Sequence, residues 1–412
     1  MNTQTAFLLT ISVLCYAVVS GLVRRWYVAP ALIFTTLGIA LGPFGFDLIE
    51  DEASTGVFTT LAQLALTVIL FNQASVLDPR ALLRRGGLTL RLLVVGVPIA
   101  IALGTLVAVL LLPVLNFWEA VCLAVIVVPT EAALIDAVLE DRRIPEDVRH
   151  ALAAESGFND GIALAALLGA LALASDRAHH APEHWAWFAF RTEIVSAAVG
   201  VGIGLIGATV ISRSREHGWM SDTWAQLATL SLALICYGVG ERLHASGFVT
   251  AFAGGLAYAM VWSKAGDSNR TTQVSDAAGE LLELLVFALF GGFALIPVWR
   301  EVDWRLVLFA VVAVIVVRVI AVATAMLGSR LKVRNTLFMG LFGPRGIGTL
   351  VLGLIVIERG EIQQGAVITQ AVVVAVTISL VLHSLTAPLT VLLGYPSGGQ
   401  VRKAHRKRTK SR

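Results

Sequence analysis

The sequence predicts an all-α integral membrane protein of about thirteen spanning helices, and three observations predict it. Of its 412 residues 57% are apolar and only 14% charged, whereas a water-soluble globular chain is about 45–50% apolar and about 25% charged. The apolar residues come in runs of about 18 or more, the length a helix needs to cross about 30 Å of hydrocarbon. No polar stretch is long enough to build a separate soluble domain, so residues 1–400 read as one membrane domain and 401–412 as a basic tail. A water-soluble enzyme is excluded.

In order, the apolar runs lie near 5–22, 29–46, 57–72, 89–113, 117–139, 148–174, 190–212, 223–240, 245–263, 279–298, 304–328, 335–357 and 365–394. The first has no basic residue ahead of it and no A-x-A site after it, so it reads as a span and not as a cleaved signal. An odd number of spans places the termini on opposite sides, and basic loops stay in the cytoplasm. With the C-terminus inside, 16 loop Lys and Arg residues and 7 in the tail are cytoplasmic, against 6 outside. Merging or splitting one span would reverse that pattern part-way along. Cys15, Cys122 and Cys236 sit inside apolar runs as small hydrophobes and imply neither a disulfide nor a metal cluster. The net charge of +3 gathers in the tail VRKAHRKRTKSR, which fits a cytoplasmic segment beside anionic lipid and no nucleic-acid partner.

Thirteen spans divide as six, one and six, giving two repeats of opposite topology. The halves share no visible sequence similarity, so proline placement is the test, because inverted-repeat membrane folds interrupt helices at matching places. Span five (VCLAVIVVPTEAALIDAVLE) carries Pro129 near its middle, and span twelve carries Gly343-Pro344-Arg345-Gly346 near its own. Each is the fifth span of its repeat. Proline removes a backbone donor and frees carbonyls, which hydrocarbon tolerates only where they line a cavity or meet an ion. One such proline is equally a packing kink; the matched pair predicts two broken helices.

Ionisable groups inside spans are costly and mark function. Span five contributes Thr130 and Glu131 directly after its proline, span six contributes Glu155, Ser156, Asn159 and Asp160, and span twelve contributes Arg345. Ser156 and Asp160 stack four residues apart on a helix, with Glu155 and Asn159 alongside. These are oxygen ligands for a hard cation, without Cys or clustered His for a transition metal, and no cofactor is implied. Burial favours a neutral carboxyl and nearby positive charge an ionised one, so such a group can hold a proton or a cation. Two assignments stay open: Asp160 as the exchanging acid with Glu155 held ionised by Arg345, or Glu155 as carrier with Asp160 structural. Simple hydrogen-bonding glue between helices would need fewer acidic and amide groups.

The stretch PTEAALIDAVLEDRRIPEDVRHALAAESGFNDGI, Pro129–Ile162, resembles the electroneutral branch of the cation:proton antiporter superfamily, the NhaP-like bacterial Na+/H+ exchangers related to eukaryotic NHE proteins. The resemblance continues through LFNQASVLDPRALLRRGGLTLRLL (Leu70–Leu93), SGFVTAFAGG (Ser246–Gly255), Arg318, LFGPRGIGTL (Leu341–Leu350) and LHSLTAP (Leu382–Pro388). It implies an NhaA-like antiporter fold with crossed unwound helices, an ion-carrying core over about 57–174 and 279–394, and a remainder forming a homodimer contact. It also implies a multi-pass protein of the cell membrane, the inner membrane of a bacterium, exchanging Na+ or Li+ for protons. Asn159 and Asp160 would lie at the helix crossing, with Asp160 binding cation or proton and Asn159 marking one-for-one exchange. Glu155, Ser156 and Thr130 would join the ion site, and Arg345 would pair with Glu155. Two departures stand out: Glu131 replaces the usual Asp after the threonine, and Phe71-Asn72-Gln73-Ala74 replaces a more acidic stretch.

Arg318, mid-span and matching a family arginine, reads either as a structural partner for a carboxylate or carbonyls or as a transport residue. Glu280, Glu283 and Asp136 read as interfacial, with a cytoplasmic ion funnel or pH sensor as the alternative. His383 reads as a hydrogen-bonded packing residue rather than a proton relay. K+ in place of Na+ is the rival cation. A conducting channel is the rival class, but no filter-like repeat is present, and no HExxH, GxSxG or GxGD motif points to a membrane enzyme.

Overall fold

Backbone groups in hydrocarbon must be satisfied within the chain, and the computed structural model meets this with helices alone among the residues it describes. Those are 3–26, 28–49, 54–77, 87–131, 134, 139, 141–174, 182–262, 271–359 and 362–394. Asp136, the tail 401–412 and the loop residues Arg80, Arg84, Arg85, Arg177, Lys264 and Arg270 lie outside them.

The helices are α1 (Thr3–Arg25), α2 (Pro30–Leu41), α3 (Ser54–Val76), α4 (Gly87–Leu111), α5 (Phe117–Val127), α6 (Glu146–Ala174), α7 (Pro182–Glu216), α8 (Asp222–Arg242), α9 (Gly247–Trp262), α10 (Gln273–Glu301), α11 (Trp304–Ala325), α12a (Val333–Leu341), α12b (Ile347–Arg359) and α13 (Gly365–Gly394). Among the described residues nine are long and apolar enough to cross a membrane, and four shorter apolar helices, α2, α5, α9 and α12b, accompany them. The chain is a multi-pass membrane protein. Phe7, Leu14, Val18, Leu22, Leu110 and Ile206 are exposed, as a lipid-facing surface requires.

Two groups of helices pack within themselves. In one, α9 is sandwiched between α7 and α3, α8 lies against both α7 and α9, and α10 lies against α3 and α2. In the other, α5 packs on α4 and α6, while α11 packs on α12a and α13 and α13 on α12b. The groups meet where α6 touches α3 and α7, and where α12b touches α3.

Local sequence explains the irregular turns. Wide π turns occupy Leu92–Gly96 in α4 and Phe290–Leu295 in α10, just ahead of Pro98 and Pro297, and relieve the clash each proline makes with the preceding turn. A third, Val312–Val317, ends at Arg318 in α11. The start of α5 is fixed by a capping box, with Glu119 N–H donating to Asn116 Oδ1 (3.0 Å) and Asn116 N–H to Glu119 Oε2 (2.9 Å). Glu119 Oε1 also accepts from Gln364 N–H at 2.9 Å, which ties the start of α5 to that of α13.

Candidate functional site

The expected break in α12 is present, and α5 ends ahead of Pro129 as expected, the rest of its span lying mostly outside the described residues. Helix α5 stops at Val127 and residues 128–131 run on without helical structure through Pro129; α12 opens between Leu341 and Ile347 around Pro344. The broken segments bond directly to each other, Glu131 N–H donating to Pro344 O at 2.8 Å. Each break thus satisfies a backbone group that the other exposes.

Helix α6 packs against this crossing and brings its polar face to it. Ser156 Oγ donates to Thr130 O (2.8 Å), and Asn159 Nδ2 donates to Thr130 Oγ1 (2.9 Å). The i, i+3 spacing of Ser156 and Asn159 brackets Thr130 from one side, and the next residue, Asp160, turns toward α12b. A Cβ added to Gly348 would sit 3.0 Å from Asp160 Oδ1, and one on Gly346 would sit 2.7 Å from the Glu131 Cβ. Only glycine lets the first turn of α12b approach both carboxylates this closely. That turn is a helix N-terminus, whose free N–H groups and dipole favour negative charge. Asp160 is 3% exposed, and its Oδ2 and the Asn159 Oδ1 are buried without a hydrogen-bond partner among the described residues.

Glu155, fully buried, is held by a different arginine from the one expected. Arg318 donates from Nη1 to Glu155 Oε1 (2.5 Å) and from Nη2 to Oε2 (2.7 Å), a bidentate pair between α11 and α6. Arg345 does not make this pair: its guanidinium turns back onto Gly343 O, a carbonyl freed by the break in its own helix, while its N–H donates to Ser379 Oγ at 2.7 Å. The sequence places Arg345 near the site, but the open carbonyl two residues away competes for its side chain. Arg318, in mid-helix on α11, passes beside Gly343 of the break and reaches Glu155. The pairing leaves Glu155 neutralised and Asp160 without an ion-pair partner among the described residues.

A sequence description of the family called sodium/hydrogen exchanger, transmembrane, matches residues 9–393. This chain belongs to the sodium/hydrogen exchanger family. A Schizosaccharomyces pombe protein named "Probable Na(+)/H(+) antiporter" is 28% identical over 385 residues, covering 85% of this chain and 49% of that protein. The K+/H+ antiporter NhaP2 of Shewanella baltica is 28% identical over 254 residues, covering 61% of this chain and 42% of that protein. The chain therefore spans half or less of the length of these relatives. The structure of the sodium proton antiporter MjNhaP1 from Methanocaldococcus jannaschii at pH 8 aligns with a TM-score of 0.76 at 19% identity, over 93% of this chain and 99% of that one. The two share a fold.

In this member of the family the crossing is reached from a cavity of about 370 Å³ bounded by α2, α3 and α10, with Glu131 in its wall. Glu283, expected at the interface, is instead buried and lines the cavity, whereas Asp276 and Glu280 are exposed. Two positioning residues escape the sequence reading, Ser379 and Gly348, because a lone serine or glycine in an apolar run carries no signal of what it will face. His383 makes packing hydrogen bonds, its Nε2 lying 3.0 Å from Leu341 O and its Nδ1 2.8 Å from Ser379 O and 3.2 Å from Ser379 Oγ.

Proposed function

We propose that this chain is a secondary antiporter that exchanges Na+, or Li+, for a proton, one for one, with Asp160 binding either. The observation that carries the reading is the buried Asp160 carboxyl at the crossing of two broken helices, with one oxygen unpartnered among the described residues. An unpaired carboxylate in a low-dielectric site costs several kcal/mol, so it is neutralised by a proton or by a cation, one at a time. Competition for one group couples the two fluxes. Thr130, Ser156, Asn159 and Glu131 complete an oxygen-rich surround, and the Glu155–Arg318 pair adds no net charge. Loaded with either ion the site carries the same charge, which makes the exchange electroneutral.

The same reading takes the thirteen helical segments as two inverted six-helix repeats around α7. Its support is that α5 and α12 are both broken, and that α4 and α11, fourth in each half, both contain π turns. The moving core is α4–α6 with α11–α13, since α3 and α10 pack with the other group; the sequence reading included both in the core. The other group supplies the homodimer contact, the N-terminus is outside and the C-terminus is cytoplasmic. K+/H+ exchange is the second reading, favoured by the likeness to the Shewanella baltica K+/H+ antiporter.

The test is ion-driven pH change in sealed proteoliposomes with Na+, Li+ and K+ in turn, with and without a K+/valinomycin clamp. Na+-driven proton movement insensitive to the clamp is expected. Movement with K+ alone transfers the mechanism to K+, and no movement with any cation overturns it.

A further inference from the structure

A buried threonine inside a helix can satisfy its hydroxyl on its own backbone, by donating Oγ1 to the carbonyl one turn back. Thr35, Thr67, Thr229 and Thr250 all do so, at 2.7–3.0 Å. Thr349, the third residue of α12b, does not: it is 1% exposed, and its Oγ1 has no hydrogen-bond partner among the described residues. Thr105 on α4 shares this property, but its neighbour Gly104 faces Ala124 in the helical part of α5 and no carboxylate.

Thr349 stands elsewhere. Leu350 N–H donates to Gly346 O at 3.2 Å, so Gly346, Gly348 and Thr349 share the first helical turn. Gly346 faces Glu131 and Gly348 faces Asp160. At about 100° per residue, the Thr349 side chain leaves the helix between those two directions. Helix α6 lies against α12b, and it brings two more buried oxygens without partners among the described residues, Asp160 Oδ2 and Asn159 Oδ1. Three such oxygens on two facing helices are costly to bury unless a common ligand takes them. The other side chains of that turn, Ile347, Gly348 and Leu350, have no polar atom. The hydroxyl is thus the one side-chain acceptor at a helix end otherwise lined with N–H donors.

We propose that Thr349 is a further ligand of the transported cation, its hydroxyl oxygen closing the α12b side of the Asp160 site. A neutral hydroxyl is a hard oxygen ligand suited to an alkali cation, and it adds no charge, so the charge balance of the exchange is kept. The proposal rests on the exchange reading above and deepens it. Asp160 takes proton or cation, whereas Thr349 binds the cation alone and so favours that ion in the competition.

Thr349→Val removes the oxygen at nearly constant shape. In exchange assays on the full chain in proteoliposomes it is expected to raise the KM for Na+ about tenfold, the loss of one good ligand, with kcat little changed. Thr349→Ser, which keeps the oxygen, should restore most of the affinity. Thermal unfolding of the Val variant in choline chloride should be unchanged or raised, because the hydroxyl it lacks bonds no described residue. The added stability that Na+ gives the wild type at the same ionic strength should shrink in that variant, and this measurement decides the case if the variant does not exchange. An unchanged KM, a KM raised equally by Ser and Val, or a Val variant that unfolds earlier in choline chloride overturns the ligand role. Normal exchange by Asp160→Asn would instead overturn the Asp160 reading, so the two failures are distinct.

Discussion

At the scale of residues, the site separates one neutralised carboxyl from one that is not. Because Arg318 and not Arg345 holds Glu155, truncation of these arginines should differ in cost. Arg318→Ala leaves a buried carboxylate unpaired and should lower stability by about 3–5 kcal/mol. Arg345→Ala loses only the contact to Gly343 O and should cost about 1–3 kcal/mol. Thermal unfolding of the detergent-purified variants measures the difference, and Arg318→Met combined with Glu155→Leu should recover most of the loss, since a buried pair is replaceable by packed apolar groups. Asp160→Asn should remove exchange while leaving expression and unfolding temperature close to wild type, because the change deletes a titrating group at nearly constant shape. The polar set itself was legible in the sequence: ESGFND after a broken PTE segment places ligands on one helical face. The partner of Glu155 was not, since two arginines inside spans were available and only the local competition for Arg345 by Gly343 O decides between them.

At the scale of elements, the broken helix is held open by its neighbour. Ser379 and His383 are one turn apart on α13; the first accepts from Arg345 N–H, just ahead of α12b, and the second sets its Nε2 3.0 Å from Leu341 O, at the end of α12a, where the Nε2–H tautomer donates to it. Between them they satisfy one backbone group on each side of the gap, which would otherwise be orphaned in the membrane. His383→Leu should therefore cost about 1–3 kcal/mol and slow exchange, and His383→Gln, which keeps a donor, should restore part of both. Unfolding and exchange rates on the three proteins check this, and equal behaviour of the Leu and Gln variants would rule out a bonding role. Sequence alone reveals that α12 breaks, through Gly343-Pro344-Arg345-Gly346, but not what stabilises the break. Two polar residues four apart in α13 look like any packing pair until the opposing helix is in place.

At the scale of the whole molecule, the position of the cavity and the charge of the neighbouring segments together make a prediction about orientation. Pro30 begins α2, Val76 ends α3 and Asp276 lies in the first turn of α10, and these three cavity-lining residues are close in sequence to Arg24 and Arg25, Arg80 to Arg85, and Lys264 and Arg270. In the proposed topology, with the basic loops cytoplasmic, the cavity opens inward. Shared-site competition then makes exchange bell-shaped in pH: in acid the carboxyl keeps its proton and excludes the cation, and in alkali no proton is available for the return step. A rate flat from about pH 5 to 9 would contradict a single shared carboxyl. The orientation has its own test. With Cys15, Cys122 and Cys236 replaced, a membrane-impermeant maleimide should label Val76→Cys, which is exposed at the mouth, in inside-out but not right-side-out vesicles. Arg300→Cys, near the opposite end of α10, should show the reverse. Reversed labelling of both positions would invert the topology while leaving the fold intact. Alternating access keeps the Val76→Cys label on that one side, because α3 belongs to the group that does not move, and lets only its rate follow exchange as the core opens and closes the cavity, whereas a continuous channel would admit the reagent to the cavity from both compartments at once whether or not a cation is bound.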